Sequence, residues 1–197
     1  MQQKPVIYVR RITNLSDARY CAGMGVDMLG FVIDPGDVDY VSPSRYQEMI
    51  GWIAGPKRVL EIPENILINF DELLGQYKPD LLNISMTTIG RKDLPILHMI
   101  LNLSFDELSS YQSLEPNIKA NIDYLLINNF HANASALQSF FHDAPPIMLL
   151  LERDQSQVLE LLNHTGAKGF ALQGSRELAP GLKDYDHLST ILEALEG

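Results

Sequence analysis

The chain of 197 residues holds a single cysteine, Cys21. That excludes an internal disulfide and any metal cluster built on several thiolates. Long apolar runs are missing as well. The early run Val6–Val9 and the later stretch Pro146–Leu151 are short. Neither provides the core of a signal peptide or the roughly 20 residues of a spanning helix, so a soluble cytoplasmic protein without a membrane partner is expected. Positive charge is scarce. Fifteen Lys and Arg face 25 Asp and Glu, for a net charge of −10, and no basic run interrupts the balance. Such a surface repels phosphate backbones, so nucleic acid is not an expected partner. Glycine is absent between Gly90 and Gly166.

What is present is an alternation of short apolar runs with amphipathic segments. Strands are expected at Val6–Val9, Met28–Ile33, Arg58–Ile62, Leu81–Ser85, Ile96–Leu103, Tyr124–Ile127, Ile147–Leu151 and Gly169–Leu172. Helices are expected between them. The first follows the cap residues Thr13-Asn14-Leu15-Ser16 and stops at Gly25. The second opens on Ser42-Pro43, a cap followed by proline in the first turn. Further helices are expected at Ile66–Tyr77, Phe105–Lys119 (broken at Pro116), Ala134–Phe141 and Gln155–Asn163, and along a last stripe from Tyr185 to Leu195. Met86–Leu94 is too short for a full helix. Eight strands joined by crossovers are parallel, and their continuous apolar character fits burial on both faces. The expected fold is α/β, a compact (β/α)8 barrel forming one domain over 1–197. A doubly wound open sheet is the rival.

Some stretches are more specific. Ile12-Thr13-Asn14-Leu15-Ser16-Asp17-Ala18, Gly25-Val26-Asp27-Met28-Leu29-Gly30-Phe31-Val32, Tyr40-Val41-Ser42-Pro43 and Pro180-Gly181-Leu182-Lys183-Asp184 together resemble the signatures of the phosphoribosylanthranilate isomerase family. The resemblance implies a TIM barrel, an Amadori rearrangement on a sugar phosphate, a place in tryptophan biosynthesis, no cofactor, and a monomer or homodimer. It also shows what has changed. The family's general base is a cysteine where Arg10 stands, and its general acid is an aspartate where Asn128 stands. A guanidinium carries no acceptor, and an amide delivers no proton near neutral pH. The family arginine that holds the anthranilate carboxylate is replaced by Asp39. The glycine-rich phosphate cradle after strand seven is replaced by Leu151-Glu152-Arg153-Asp154. Gly174-Ser175-Arg176 remains as a half-site for phosphate.

Other residues carry chemistry by type. His131 follows strand six at the mouth, where barrel enzymes react, and stands as a substitute acid beside the reading of a surface histidine. Cys21 reads as a packed thiol, His98 as a hydrogen-bonded core histidine, and Asp34, Asp37 and Asp39 as a solvated acidic loop. Glu61, Glu152, Asp154 and His131 match no metal spacing, so no metal is expected. Glu61 stands near the level of Arg10. A buried guanidinium needs a carboxylate, so Arg10 and Glu61 are expected to meet across the interior, with Asn128 adding a hydrogen bond. Three functions follow. The first is a degenerate homologue kept to bind a phosphorylated small molecule or a protein partner. The second is an enzyme with remodelled sugar-phosphate chemistry. The third is a true isomerase working through His131 or another substitute.

Overall fold

The computed structural model describes residues 4–64, 68–130, 137, 144–151, 158–174, 177–179 and 182–183. Eight strands form a closed barrel: β1 Val6–Arg10, β2 Met28–Val32, β3 Lys57–Glu61, β4 Leu81–Ser85, β5 Met99–Ser104, β6 Ile122–Asn128, β7 Ile147–Leu150 and β8 Gly169–Gln173. The strands run in chain order around the ring, and β8 closes on β1 in parallel from Val6↔Gly169 to Arg10↔Gln173. A short antiparallel pair, β9 Glu177–Ala179 and β10 Leu182–Lys183, lies outside the ring. The rival open sheet is thereby excluded.

Alternation along each strand splits the apolar residues into two layers. One residue from each strand fills the interior: Tyr8, Met28, Val59, Leu81, Ile100, Leu126, Met148 and Ala171. Their neighbours, among them Val9, Phe31, Leu60, Leu101 and Phe170, face the helices in a second, larger core. Full burial of such a side chain is worth about 1.5–3 kcal/mol, so both faces of the sheet hold the ring closed. At Gly169 a Cβ would run into the Val6 carbonyl, so glycine lets β8 approach β1.

The helices begin where their caps place them. In α1 (Leu15–Gly23) the Asn14 side chain accepts from the Asp17 N–H, and Ala18 and the Cys21 thiol turn inward. In α2 (Pro43–Ile50) Ser42 caps, and Tyr46 meets Phe31 edge-on at 4.9 Å between centroids. Asn69 caps α3 (Phe70–Tyr77). The connection after β4 is reduced to the four residues of α4 (Met86–Ile89). A 3-10 turn (Phe105–Glu107), α5 (Leu108–Gln112) and α6 (Pro116–Lys119) occupy the helical stretch expected over Phe105–Lys119, with a new helix opening at Pro116, where the break was expected. A further helix, α7, covers Val158–Thr165.

Two expectations need correction. Strand β5 starts at Met99, three residues after the expected Ile96, because pairing with β4 begins only at Leu82↔Met99. Ile96 is left 91% exposed. His98 consequently lies ahead of the strand, 68% exposed, with its Nδ1 2.7 Å from Asp123 Oδ1, and is not a core residue. The helices expected at Ala134–Phe141 (apart from the buried, helical Leu137) and Tyr185–Leu195 lie outside the described residues. Among the described residues no helix is long and apolar enough to cross a membrane.

Candidate functional site at the barrel mouth

The C-terminal ends of barrel strands form the face on which barrel enzymes carry their chemistry. Inward positions at that level include Arg10 on β1, Glu61 on β3, Asn83 and Ser85 on β4, Asn102 and Ser104 on β5, and Asn128 on β6. Arg10 and Glu61 meet across β2. The Arg10 Nε and Nη2 donate to Glu61 Oε2 at 3.1 and 2.6 Å, with side-chain exposures of 17% and 8%. Gly30 on the intervening strand makes this possible, since a Cβ there would collide with Glu61 Oε1 and with the Tyr8 hydroxyl.

The second Glu61 oxygen, Oε1, accepts the Arg11 backbone N–H at 2.9 Å. Arg11 sits at φ 58°, a left-handed conformation that costs a non-glycine residue about 1–2 kcal/mol. The turn sends its side chain away from the barrel axis to the loop after β2. There Nε meets Asp39 Oδ2 at 2.7 Å and Nη2 meets Asp37 Oδ1 at 2.5 Å. The acidic loop read from sequence as solvated is thus, at Asp37 and Asp39, a clasp on Arg11, while Asp34 accepts the Gly36 N–H within its own turn.

Electrostatics follow from this packing. Burial works to lower the Arg10 pKa, but the charge of Glu61, the Tyr8 hydroxyl and the hydrogen bond to Glu61 outweigh it, and the value is raised. For Arg11, too, its bonds to Asp37 and Asp39 overcome desolvation. Both arginines remain cations with no free lone pair, so neither takes a proton. Beneath them the Tyr8 hydroxyl is fully buried. Desolvation, then the Glu61 charge, pushes its pKa well above the ordinary phenol value, against weaker opposition from Arg10 and from an Asn83 hydrogen bond of 3.3 Å.

Asn128, at the end of β6, donates through Nδ2 to Asn102 Oδ1 at 3.1 Å. The hydrogen bond it was expected to add to the Arg10–Glu61 pair is replaced by this amide pair. Gly174 donates its N–H to the Arg10 carbonyl at 2.7 Å, and a Cβ there would approach that oxygen to 2.9 Å. Its lack of a side chain therefore serves the β1–β8 seam, and its N–H is already used. Ser175, Arg176, His131, Glu152 and Arg153 lie outside the described residues. Sequence reasoning had missed Tyr8, Asn83 and Asn102. The signal was available for Asn102, a polar residue at an inward position of the run Ile100-Leu101-Asn102-Leu103.

A cleft of about 320 Å³ lies at the opposite end of the barrel, between α2 and the start of β3, lined by Ile50, Ile53, Pro56, Arg58 and Asp80. It is remote from the strand ends where chemistry is expected, and Arg58 and Asp80 in its wall pair with each other at 2.8 Å. The nearby Tyr46 hydroxyl is buried without a hydrogen-bond partner among the described residues. Among the described residues no cluster of three or more potential metal ligands occurs.

Comparison with known proteins places the fold. No family model and no curated protein matches the chain. Solved structures do. The phosphoribosylanthranilate isomerase of Thermotoga maritima superposes with a TM-score of 0.74 at 18% identity, over 98% of this chain and 99% of that one. A phosphoribosylanthranilate isomerase bound to reduced 1-(o-carboxyphenylamino)-1-deoxyribulose 5-phosphate gives 0.74 at 19% identity, with the same coverage of both chains. The Pyrococcus furiosus enzyme gives 0.71 at 13% identity over 98% of each chain. At such identities the likeness is one of fold: a compact TIM barrel whose whole length is matched.

Proposed function

We propose that this chain is a phosphoribosylanthranilate isomerase-like barrel that does not catalyse the Amadori rearrangement and acts by binding at its mouth. The observation that carries the reading is the Arg10–Glu61 pair at 2.6 Å. It fills the end of β1, where the family resemblance puts the general base. A cationic guanidinium holding both its carboxylate and its charge removes no proton from a sugar carbon. Asn128, bonded to a second amide, delivers none to a ring oxygen. Each general acid or base contributes about 10²–10⁴ in rate. Losing both corresponds to roughly 5–11 kcal/mol of barrier at 1.36 kcal/mol per decade.

The test is growth of a strain lacking the isomerase, together with turnover of phosphoribosylanthranilate by the purified chain. The expected result is no growth and turnover several orders of magnitude below the common enzyme range of ~1–10³ s⁻¹. Turnover within that range would overturn the proposal. Arg10→Cys with Asn128→Asp is expected not to restore it, since Glu61 would remain in the interior and the glycine cradle would still be missing.

A further inference from the structure

The β1–β3 side of the mouth is closed by its own ion pairs, and the β4–β6 side is built differently. Asn83, Asn102 and Asn128 stand on three successive strands at inward positions. The register staggers them, with Asn83 beside Glu61, Asn102 beside Ser85 and Asn128 beside Ser104. They climb from Asn83, 4% exposed, to half-buried Asn102 and Asn128. The layer below is hydrocarbon, with Leu81, Ile100 and Leu126 on the same three strands. Adjacent strands lie about 4.8 Å apart and each step also climbs two residues, so the row rises obliquely along the barrel wall toward the mouth.

Amides in the interior of a barrel are costly unless their hydrogen bonds are made. Each asparagine offers two N–H donors and a carbonyl with two lone pairs. Two contacts among them are made within the protein, Asn128 to Asn102 and Asn83 to Tyr8. The row keeps further donor and acceptor capacity on every amide, one of which is nearly buried.

The charge at this level selects the ligand class. The ionised groups of the β1–β3 side, Arg10, Arg11, Glu61, Asp37 and Asp39, are paired with one another, two cations against three anions. Glu107, just beyond β5, is held by the Ser104 N–H and hydroxyl at 2.7 and 2.9 Å. The Gly174 N–H is spent on Arg10. Above the apolar layer the inward strand positions of β4–β6, Asn83, Ser85, Asn102, Ser104 and Asn128, carry no formal charge. Among these described residues a phosphorylated ligand finds an excess of negative charge, and a cationic one finds carboxylates that already accept hydrogen bonds.

Building on the reading of the barrel as a non-catalytic binder, we propose that the Asn83–Asn102–Asn128 row binds a neutral polyhydroxylated small molecule, a free sugar or polyol of five or six carbons, and discriminates against its phosphate ester. Hydroxyl groups, each a donor and an acceptor, match amide edges one for one. Half-buried Leu150 on β7 supplies apolar surface at the same level for the C–H face of such a ligand.

The experiment is calorimetric titration of the full chain with D-ribose, ribitol, D-glucose and sorbitol, and with ribose 5-phosphate and inorganic phosphate as charged probes. At least one neutral compound is expected to bind with a Kd of ~1 mM or tighter. Ribose 5-phosphate should bind at least about tenfold more weakly than its neutral counterpart, a difference of about 1.4 kcal/mol. Asn102→Leu should abolish this binding. Asn102→Ser, which keeps a hydroxyl in a smaller side chain, should weaken it, and circular dichroism would verify that each variant folds. No binding by any neutral probe, tighter binding of the phosphate ester, or unaltered binding by folded Asn102→Leu would overturn the proposal. The parent reading is tested separately: isomerase turnover would sink it whatever the titrations show, while absent turnover with absent polyol binding would sink only the amide-row proposal.

Discussion

The two sides of the barrel mouth solve the same packing problem in opposite ways. On the β1–β3 side the polar groups are ions, and they satisfy each other: Arg10 with Glu61, Arg11 with Glu61, Asp37 and Asp39. On the β4–β6 side they are neutral amides that satisfy each other only in part. A buried charge tolerates no vacancy opposite it, because an unmatched ion costs several kcal/mol. An amide at a half-open position loses far less when its partner is water. The charged side is therefore expected to be rigid and structural, and the amide side adaptable.

That contrast can be tested by its energies. The largest effect is expected for Arg10→Ala, which strands Glu61 and should cost about 3–5 kcal/mol in urea unfolding. A double change, Arg10→Met with Glu61→Met, should recover most of the loss, since an apolar replacement of a buried pair is often neutral. If Arg10→Ala costs less than about 1 kcal/mol, the pair is worth no more than an exposed ion pair and the contrast fails.

Gly30→Ala comes next. The added methyl falls on Glu61 Oε1 and the Tyr8 hydroxyl, both pinned by hydrogen bonds. Overpacking of this kind costs about 1–3 kcal/mol. An Ala variant as stable as the parent would show that Glu61 can leave its position freely.

Alkaline pH probes the layer beneath. The folded pKa of Tyr8 is raised above the unfolded value near 10, so its neutral form stabilises the fold fully below pH ~10. That contribution is lost as pH rises through the raised folded value. Between those limits stability should fall by up to about 1.4 kcal/mol per pH unit from this residue. Tyr46 and Tyr77 also have raised values, so the difference between parent and Tyr8→Phe is the measurement. Denaturation midpoints of the two at pH 9 and 11 should converge at the higher pH; parallel curves would place the Tyr8 hydroxyl in contact with water.

The smallest effect is expected for Asn128→Ala, which breaks one amide–amide hydrogen bond at a half-buried position. A loss of about 0.5–1.5 kcal/mol is expected. A loss matching that of Arg10→Ala would erase the distinction between the two sides.

The ring was legible from sequence because period and punctuation agreed at most places. Ser42-Pro43, Gly25 and the eight apolar runs each marked an element that the barrel uses. The run at Ile96 misled because apolar residues signal burial, whereas a strand also needs a partner, and the hydrogen bonds from β4 reach back only to His98. Arg10 and Glu61 could be joined in advance because a buried charge demands its opposite. The clasp of Arg11 on Asp37 and Asp39 could not, since it depends on a left-handed backbone turn at a residue type that rarely adopts one. Asn83 and Asn102 went unnoticed for a related reason. Neutral polar residues create no imbalance that a reader of sequence must resolve, and only the alternation along β4 and β5 turns Asn83 and Asn102 inward.

Gly30 has one more consequence, for the routes by which such a sequence can change. The space above this glycine holds Glu61, and Glu61 neutralises Arg10. Replacing Arg10 first isolates an anion, replacing Glu61 first isolates a cation, and enlarging Gly30 first displaces both. Every single step toward an open, acid–base-competent mouth passes through a less stable intermediate, although the two-step product need not be unstable. The three positions form a ratchet in sequence space: once set, they hold the barrel to its present use through the unfavourable order of any return.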